Sequence, residues 1–188
     1  MSLDRGRLFV GVPLPTALEP AVRAAQESLQ IPGLKLVRRG QLHVTLAFLG
    51  EVGCDAYAAA ARLVSERNGS MGGVAVLGGV VLLPTARRAR VVALGIDDAE
   101  GVLGRLSAEI TGELVEAGAM VGERRPFRPH LTIGRLRKPG NVHQKFDSLW
   151  ERFAIRSVCL YRSTLSRAGA EYEVLTEAIL RDRGDTGN

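Results

Sequence analysis

The sequence predicts an α+β fold with mixed or antiparallel sheets. Three observations carry that prediction. Runs with strand character alternate with runs of helical periodicity, and the chain closes on two strand-like runs around Arg167-Ala168-Gly169. Neither phosphate-loop signature of a doubly wound nucleotide fold occurs: there is no G-x-G-x-x-G after the first strand and no G-x-x-x-x-G-K-[ST] anywhere.

The elements follow in chain order. Arg7 to Val12 reads as a first strand, ended by Pro13 and Pro15. Thr16 and Glu19 have the spacing of a capping box, opening a helix through Val22, Ala25 and Leu29 until Pro32-Gly33 stops it. Leu34 to Val37 and Leu42 to Leu49 are strands separated by Arg38-Arg39-Gly40. Asp55 caps a second helix to about Arg67, before the Asn68-Gly69-Ser70 turn. Val74 to Leu77 and Val80 to Leu83 are strands around Gly78-Gly79, and Arg90 to Ile96 is another. Asp97-Asp98 opens a helix from about Glu100 to Ala117. A basic loop, a strand from His130 to Leu136 and a looser stretch through Trp150 follow. Ile155 to Thr164 and Glu171 to Leu180 form the closing hairpin, and Arg181 to Asn188 is a polar, frayed tail. Nothing marks a linker, so residues 1–180 read as one unit.

Composition narrows the function classes. At 188 residues, 46% hydrophobic and 24% charged, the chain has the apolar content of a folded domain, which excludes a mainly disordered protein. Cys54 and Cys159 cannot make a disulfide framework, and no C-x-x-C pair offers zinc or redox chemistry. Reduced thiols, no secretory leader and no apolar run of the ~18 residues a membrane span needs predict a cytoplasmic protein. The net charge of +5 suits an anionic partner. Of the 25 basic residues 22 are Arg, a bias that a GC-rich gene produces by itself, so their distribution says more than their number. Between Glu123 and Lys138 six basic residues, Arg128 and Arg135 among them, stand against one acid. A solvated loop has that composition, and so does a rim that binds phosphate through Arg forks.

The most informative feature is an internal repeat. Leu42-His43-Val44-Thr45-Leu46 matches Pro129-His130-Leu131-Thr132-Ile133, 87 residues later. Alternate residues of a strand point to opposite faces, so His43 and Thr45 share one face and Val44 and Leu46 the other; the second copy repeats this. If pseudo-symmetry relates the two halves, the strands face each other across a groove that presents two imidazoles and two hydroxyls. One neutral and one protonated imidazole are a general base and a general acid. Opposite placement is what in-line displacement at phosphorus needs, and the threonine hydroxyls suit the non-bridging oxygens between them. A ribose 2′,3′-cyclic phosphate is the natural substrate. A metal site competes poorly, since two histidines are too few and no carboxylate recurs beside either copy. His143, in a polar loop, reads as a bystander, and Cys54 as packing.

At these residues the chain resembles the 2H phosphoesterases, and within them the RNA 2′,3′-cyclic phosphodiesterases, also called 2′-5′ RNA ligases. The resemblance spans roughly residues 7 to 180. It rests on Arg7 to Pro15, on Gln41 to Val52 (QLHVTLAFLGEV), on Arg125 to Arg135 (RPFRPHLTIGR), and on Leu160 to Leu175 with Ser163, Gly169 and Tyr172. It implies two pseudo-symmetric lobes, each an antiparallel sheet with helices packed outside, and an active-site groove between them. It implies that His43 is the general acid and His130 the general base, that Thr45 and Thr132 hold phosphate oxygens, and that Arg135 contacts phosphate, with Arg128 beside it. Phe48 and Phe9 are candidates to stack on a base, and packing within the sheet is the plain alternative for each. The implied reaction opens an RNA terminal 2′,3′-cyclic phosphate to a 2′-phosphomonoester without metal or other cofactor, in a monomer. Three alternatives stand beside it: the reverse 2′-5′ ligation, a phosphodiesterase for small cyclic nucleotides, and an RNA-binding module without catalysis. The groups for ring opening and closure are the same, and bulk water favours opening unless the ends are pre-aligned.

Overall fold

The computed structural model describes residues 7–122, 125–144, 146, 149–166 and 169–182. Its elements run β1 (Arg7–Pro13), α1 (Glu19–Glu27), β2 (Leu34–Leu36), β3 (His43–Gly50), α2 (Cys54–Ser65), β4 (Gly73–Leu83), β5 (Ala89–Asp97), α3 (Val102–Glu116), β6 (His130–Gly140), β7 (Glu151–Ile155), β8 (Ser157–Ser166) and β9 (Gly169–Ile179). The strands form one antiparallel sheet ordered β7-β4-β5-β6-β3-β1-β8-β9, with β2 added to the edge of β6. The fold class read from the sequence is therefore the observed one.

The two lobes are the two halves of this sheet, β6-β5-β4-β7 and β3-β1-β8-β9. They join through one narrow seam, where Val44 on β3 pairs with Leu131 on β6. Beyond that pair the strands part, and β2 takes the vacated edge of β6 over Gly134–Leu136. The alternation anticipated for both motifs holds. Val44, Leu46, Leu131 and Ile133 are all buried in the main core, while His43, Thr45, His130 and Thr132 are only partly covered. The helices supply the other side of that core. Leu103, Leu106, Ile110 and Leu114 line one face of α3, and Ala60, Leu63 and Val64 one face of α2. α3 packs on β3, α2 on β8 and β9, and α1 on β6, which leaves the motif face open.

Several boundaries differ from expectation. Thr16 does not cap a helix: Thr16–Leu18 is a 3₁₀ turn after Pro15, and α1 starts at Glu19 with no side-chain cap. Asp55 lies inside the first turn of α2, where its charge still favours the helix dipole, and Gly53 takes the cap position. Asp98 does hold its helix, accepting hydrogen bonds from Leu103 N (3.2 Å) and Gly104 N (2.8 Å). Gly78-Gly79 does not separate two strands; it is an irregularity within β4 where the pairing with β5 shifts. β7 was not anticipated. Cys54 is exposed rather than packed. Arg181 is tied down, donating its N–H to Ser70 O (2.8 Å) and accepting from Gly72 N (2.9 Å), whereas 183–188 and the turn residues Arg167 and Ala168 lie outside the described residues. No helix of the described residues is long and apolar enough to cross a membrane.

Candidate active site

The two histidines sit at the seam. The Val44–Leu131 pairing sets Thr132 beside His43 and His130 beside Thr45, so the histidines are diagonal neighbours. Diagonal Cα atoms in an antiparallel pair lie about 7–8 Å apart.

Each ring is fixed in the same way. His43 Nδ1 donates to Gln41 O at 2.8 Å, and His130 Nδ1 donates to Arg128 O at 2.8 Å, both carbonyls lying two residues upstream. A carbonyl can only accept, so Nδ1 carries the hydrogen in both rings and Nε2 is left as the nitrogen that gains and loses a proton.

Each motif is followed by a matched bulge. Val10 pairs with Ala47 but Gly11 with Thr45, leaving Leu46 as the extra residue of β3. Val92 pairs with Gly134 but Ala93 with Thr132, leaving Ile133 as the extra residue of β6. A bulge flips the alternation beyond it, and the two strands show the same burial pattern as a result. The fifth residue after each histidine is thereby returned to the open face: Phe48, 50% exposed, on β3, and Arg135, also exposed, on β6. Each bulge carbonyl has a helix side chain as its partner. Ser107 Oγ of α3 donates to Leu46 O at 2.7 Å, and Gln26 Nε2 of α1 donates to Ile133 O at 2.9 Å and to Val37 O at 2.8 Å. Ser107 and Gln26 escaped the sequence reading. A signal existed for Ser107, which interrupts the apolar stripe of α3 between Leu106 and Ile110.

The electrostatics of the histidines are uneven. His43 lies against Phe9 (ring centroids 4.5 Å, stacked), Tyr172 (5.3 Å, edge-on) and Tyr161 (5.7 Å, tilted). Burial lowers the pKa of His43 from 6.5 to about 4; the Gln41 carbonyl opposes the shift, and the positive charges of Arg135 and His130 reinforce it. The ring is therefore neutral throughout the neutral pH range. Burial also raises the Tyr161 phenol far above its ordinary value, so it stays protonated.

The sequence candidates fall into three groups. His43, Thr45, His130, Thr132 and Arg135 are brought together on the open face of the seam, with Phe48 at its margin. Arg128 contributes its carbonyl to His130, and its side chain is exposed. Phe9 is corrected: it is 3% exposed and packed on His43, Tyr161 and Tyr172, so it backs His43 and has no surface for a base. His143 is exposed on its loop.

A family model described as the 2′-5′ RNA ligase superfamily matches residues 14–167. The chain belongs to that superfamily. It is 28% identical over 181 residues to the RNA 2′,3′-cyclic phosphodiesterase of Methanocaldococcus jannaschii, covering 91% of this chain and 99% of that one. It is 32% identical over 187 residues to the protein of the same name from Thermus thermophilus, covering 93% and 90% of the two chains. Among solved structures, Escherichia coli LigT superposes with a TM-score of 0.78 at 25% identity, over 93% of this chain and 97% of LigT. The family read from the paired motifs is thus the family found.

Proposed function

We propose that the chain hydrolyses RNA terminal 2′,3′-cyclic phosphates to 2′-phosphomonoesters, with His43 and His130 as its acid/base pair and without a metal. The observation that carries this reading is the matched pair itself: two imidazoles on one face, diagonal across a strand seam, each with Nδ1 committed and Nε2 free for proton transfer. The names of the relatives, RNA 2′,3′-cyclic phosphodiesterase, support the substrate. In the step proposed, the cyclic phosphate lies between the imidazoles and water attacks phosphorus opposite O3′. One neutral imidazole takes the water proton, and the other, protonated, delivers its proton to O3′ as the P–O3′ bond breaks. Thr45 and Thr132 donate to the non-bridging oxygens as their charge grows. Arg135 and Arg128 attract the phosphate, and Phe48 stacks on the terminal base. Among the described residues no three His, Cys, Asp or Glu side chains gather as metal ligands, which supports histidine chemistry over a metal-bound hydroxide.

The resemblance gives His43 as acid and His130 as base. A second division of labour, with His43 as base, is favoured by the low pKa of His43, because a ring neutral above about 4 is ready to accept a proton. The anionic phosphate opposes this by drawing a proton onto both rings. The pH dependence of kcat/KM separates the two: His43→Ala removes the alkaline limb if His43 is the acid, and the acidic limb if it is the base.

The activity itself is tested with a dinucleotide ending in a 2′,3′-cyclic phosphate, in excess EDTA. The expected result is undiminished turnover to the 2′-phosphate. Turnover lost in EDTA and restored by Mn²⁺ or Zn²⁺ overturns the mechanism.

A further inference from the structure

Acidic partners are distributed unevenly over this protein. Around β1, β8 and β9 the arginines are neutralised: Arg7 lies 3.6 Å from Glu51, Arg156 lies 3.0 Å from Asp182, and Arg162 pairs with Glu173. Residues 28–50, 83–96 and 125–144, by contrast, contain no Asp or Glu at all. These are the segments that build β2, β3, β6 and most of β5. Among the described residues, Lys35, Arg87, Arg88, Arg90, Arg137 and Lys138 have no acidic partner, and all are exposed.

The topology gathers these cations on one edge that begins at the active site. Along one face of β6, His130 and Thr132 are followed, after the Ile133 bulge, by Arg135, and Arg137 and Lys138 are exposed in the second irregularity just beyond it. Lys35 pairs directly with Arg135 across β2–β6, and directly opposed strand residues share a face. Arg135 and Gly140 lie opposite Val91 and Ala89, two residues apart on β5, so 136–139 bulge out of that ladder and Gly140 rejoins it about 7 Å along the sheet from Arg135. At its far end Gly140 pairs with Ala89, and Val142 N donates to Ala86 O (3.0 Å), so the Ala86–Arg88 turn sits on the end of the same edge.

One terminal phosphate uses the cations at the seam and leaves those farther along β6 without an anion. Like charges set along an edge without carboxylates repel each other, and a phosphate backbone relieves that repulsion while releasing its own counterions. We propose that the edge from Lys35 along β6 to Arg87 and Arg88 is a track for the phosphates of an RNA strand upstream of its reacting end. The chain then acts on a single-stranded RNA end in preference to a free cyclic mononucleotide. This inference rests on reading the seam as a cyclic-phosphate site.

The test uses the Arg87→Ser/Arg88→Ser double variant and Lys35→Ser, with two substrates: a single-stranded RNA 12-mer ending in a 2′,3′-cyclic phosphate, and a 2′,3′-cyclic mononucleotide. The wild-type protein is expected to favour the 12-mer and to lose that preference steeply with salt. The double variant is expected to lower kcat/KM for the 12-mer about tenfold at low salt, and to reduce the slope of log(kcat/KM) against log[salt] by about 1.4, or ~0.7 for each lost contact. Lys35→Ser is expected to lose about half of that slope. Mononucleotide turnover stays unchanged in both. Equal rates for variants and wild type on the 12-mer overturn the track and leave solvated surface charge. A parallel fall on both substrates also overturns it, because the cations then act through the site or the fold. If the wild-type protein turns over neither substrate, the reading of the seam fails separately. Binding of the same 12-mer with an ordinary 3′ end then decides the track: weaker binding by the double variant supports it, and unchanged binding overturns it.

Discussion

His43 and His130 hold equivalent places in the two halves of the sheet, and the cross-strand row five residues beyond each of them is filled differently. In the half built on β3, the fifth residue after the histidine and its cross-strand neighbours are Phe48, Phe9 and Tyr161. In the half built on β6 the same row reads Arg135, Val91 and Leu83. Backbone features are shared: the Nδ1 bond to the carbonyl two residues back, the bulge three residues on, and the helix side chain on the bulge carbonyl. Local motif geometry is therefore duplicated, while the electrostatic setting is not. Aromatic rings crowd one side of His43 and partly desolvate it, whereas among the described residues no aromatic ring stacks on His130. Two copies of one motif become two unlike groups through their neighbours, as acid/base chemistry requires.

The sharpest way to break the comparison is to remove each histidine in turn. His43→Ala and His130→Ala are each expected to lower kcat on a cyclic-phosphate dinucleotide by about 10²- to 10⁴-fold, the usual worth of a general acid or base. If one variant keeps the wild-type rate, only one half is catalytic.

The hydroxyls come next. Thr45→Val and Thr132→Val keep the β-branched shape that a strand favours and lose the donor. Each is expected to cost about 2–4 kcal/mol of transition-state stabilisation, roughly 30- to 1000-fold in rate, with an unchanged melting temperature. Thr45→Ser, which keeps the donor, is expected to lose only a few fold. A wild-type rate for Thr45→Val reduces that threonine to packing.

The smallest effects test the matched bulges. Ser107→Ala removes the side-chain donor to the Leu46 carbonyl and Gln26→Ala the donor to the Val37 carbonyl, at about 1–3 kcal/mol of stability apiece. Ile133 O, the other acceptor of Gln26, keeps the Val37 N–H at 3.0 Å. In a chain of this size that is about 2–4 °C in Tm per kcal/mol, measured by thermal unfolding. Ser107 is buried and Gln26 only partly so, and Ser107→Ala is expected to cost more. Equal, negligible losses separate the bulges from their helix partners.

How much of this was legible follows from the kind of signal each feature leaves. The paired His-x-Thr blocks declare residue type and strand alternation together, so both the chemistry and the open face could be read. Strand β3 and the helix stripe of α3 were legible for the same reason, since apolar periodicity reports burial directly. The bulges were not, because Leu46-Ala47 and Ile133-Gly134 look like ordinary apolar continuation and register is set by the partner strand. For Phe9 the sequence leaves base stacking and sheet packing both open, because a strand does not say which rings on neighbouring strands cover it, and the structure gives packing. Thr16 looked like a cap because its spacing to Glu19 fits one, and Pro15 and Pro20 instead fix a 3₁₀ entry. β7 begins with Glu151-Arg152 and leaves only a short apolar trace.

The central claim is that surroundings make the two copies unequal, and it is tested most directly by following the His43 imidazole through a pH titration by NMR in the free protein. Stacking on Phe9 and burial beside Tyr161 and Tyr172 predict a midpoint near 4, with the ring neutral from there upward. A midpoint at the ordinary value of 6.5 contradicts the account, because the aromatic backing would then leave the proton affinity of His43 untouched.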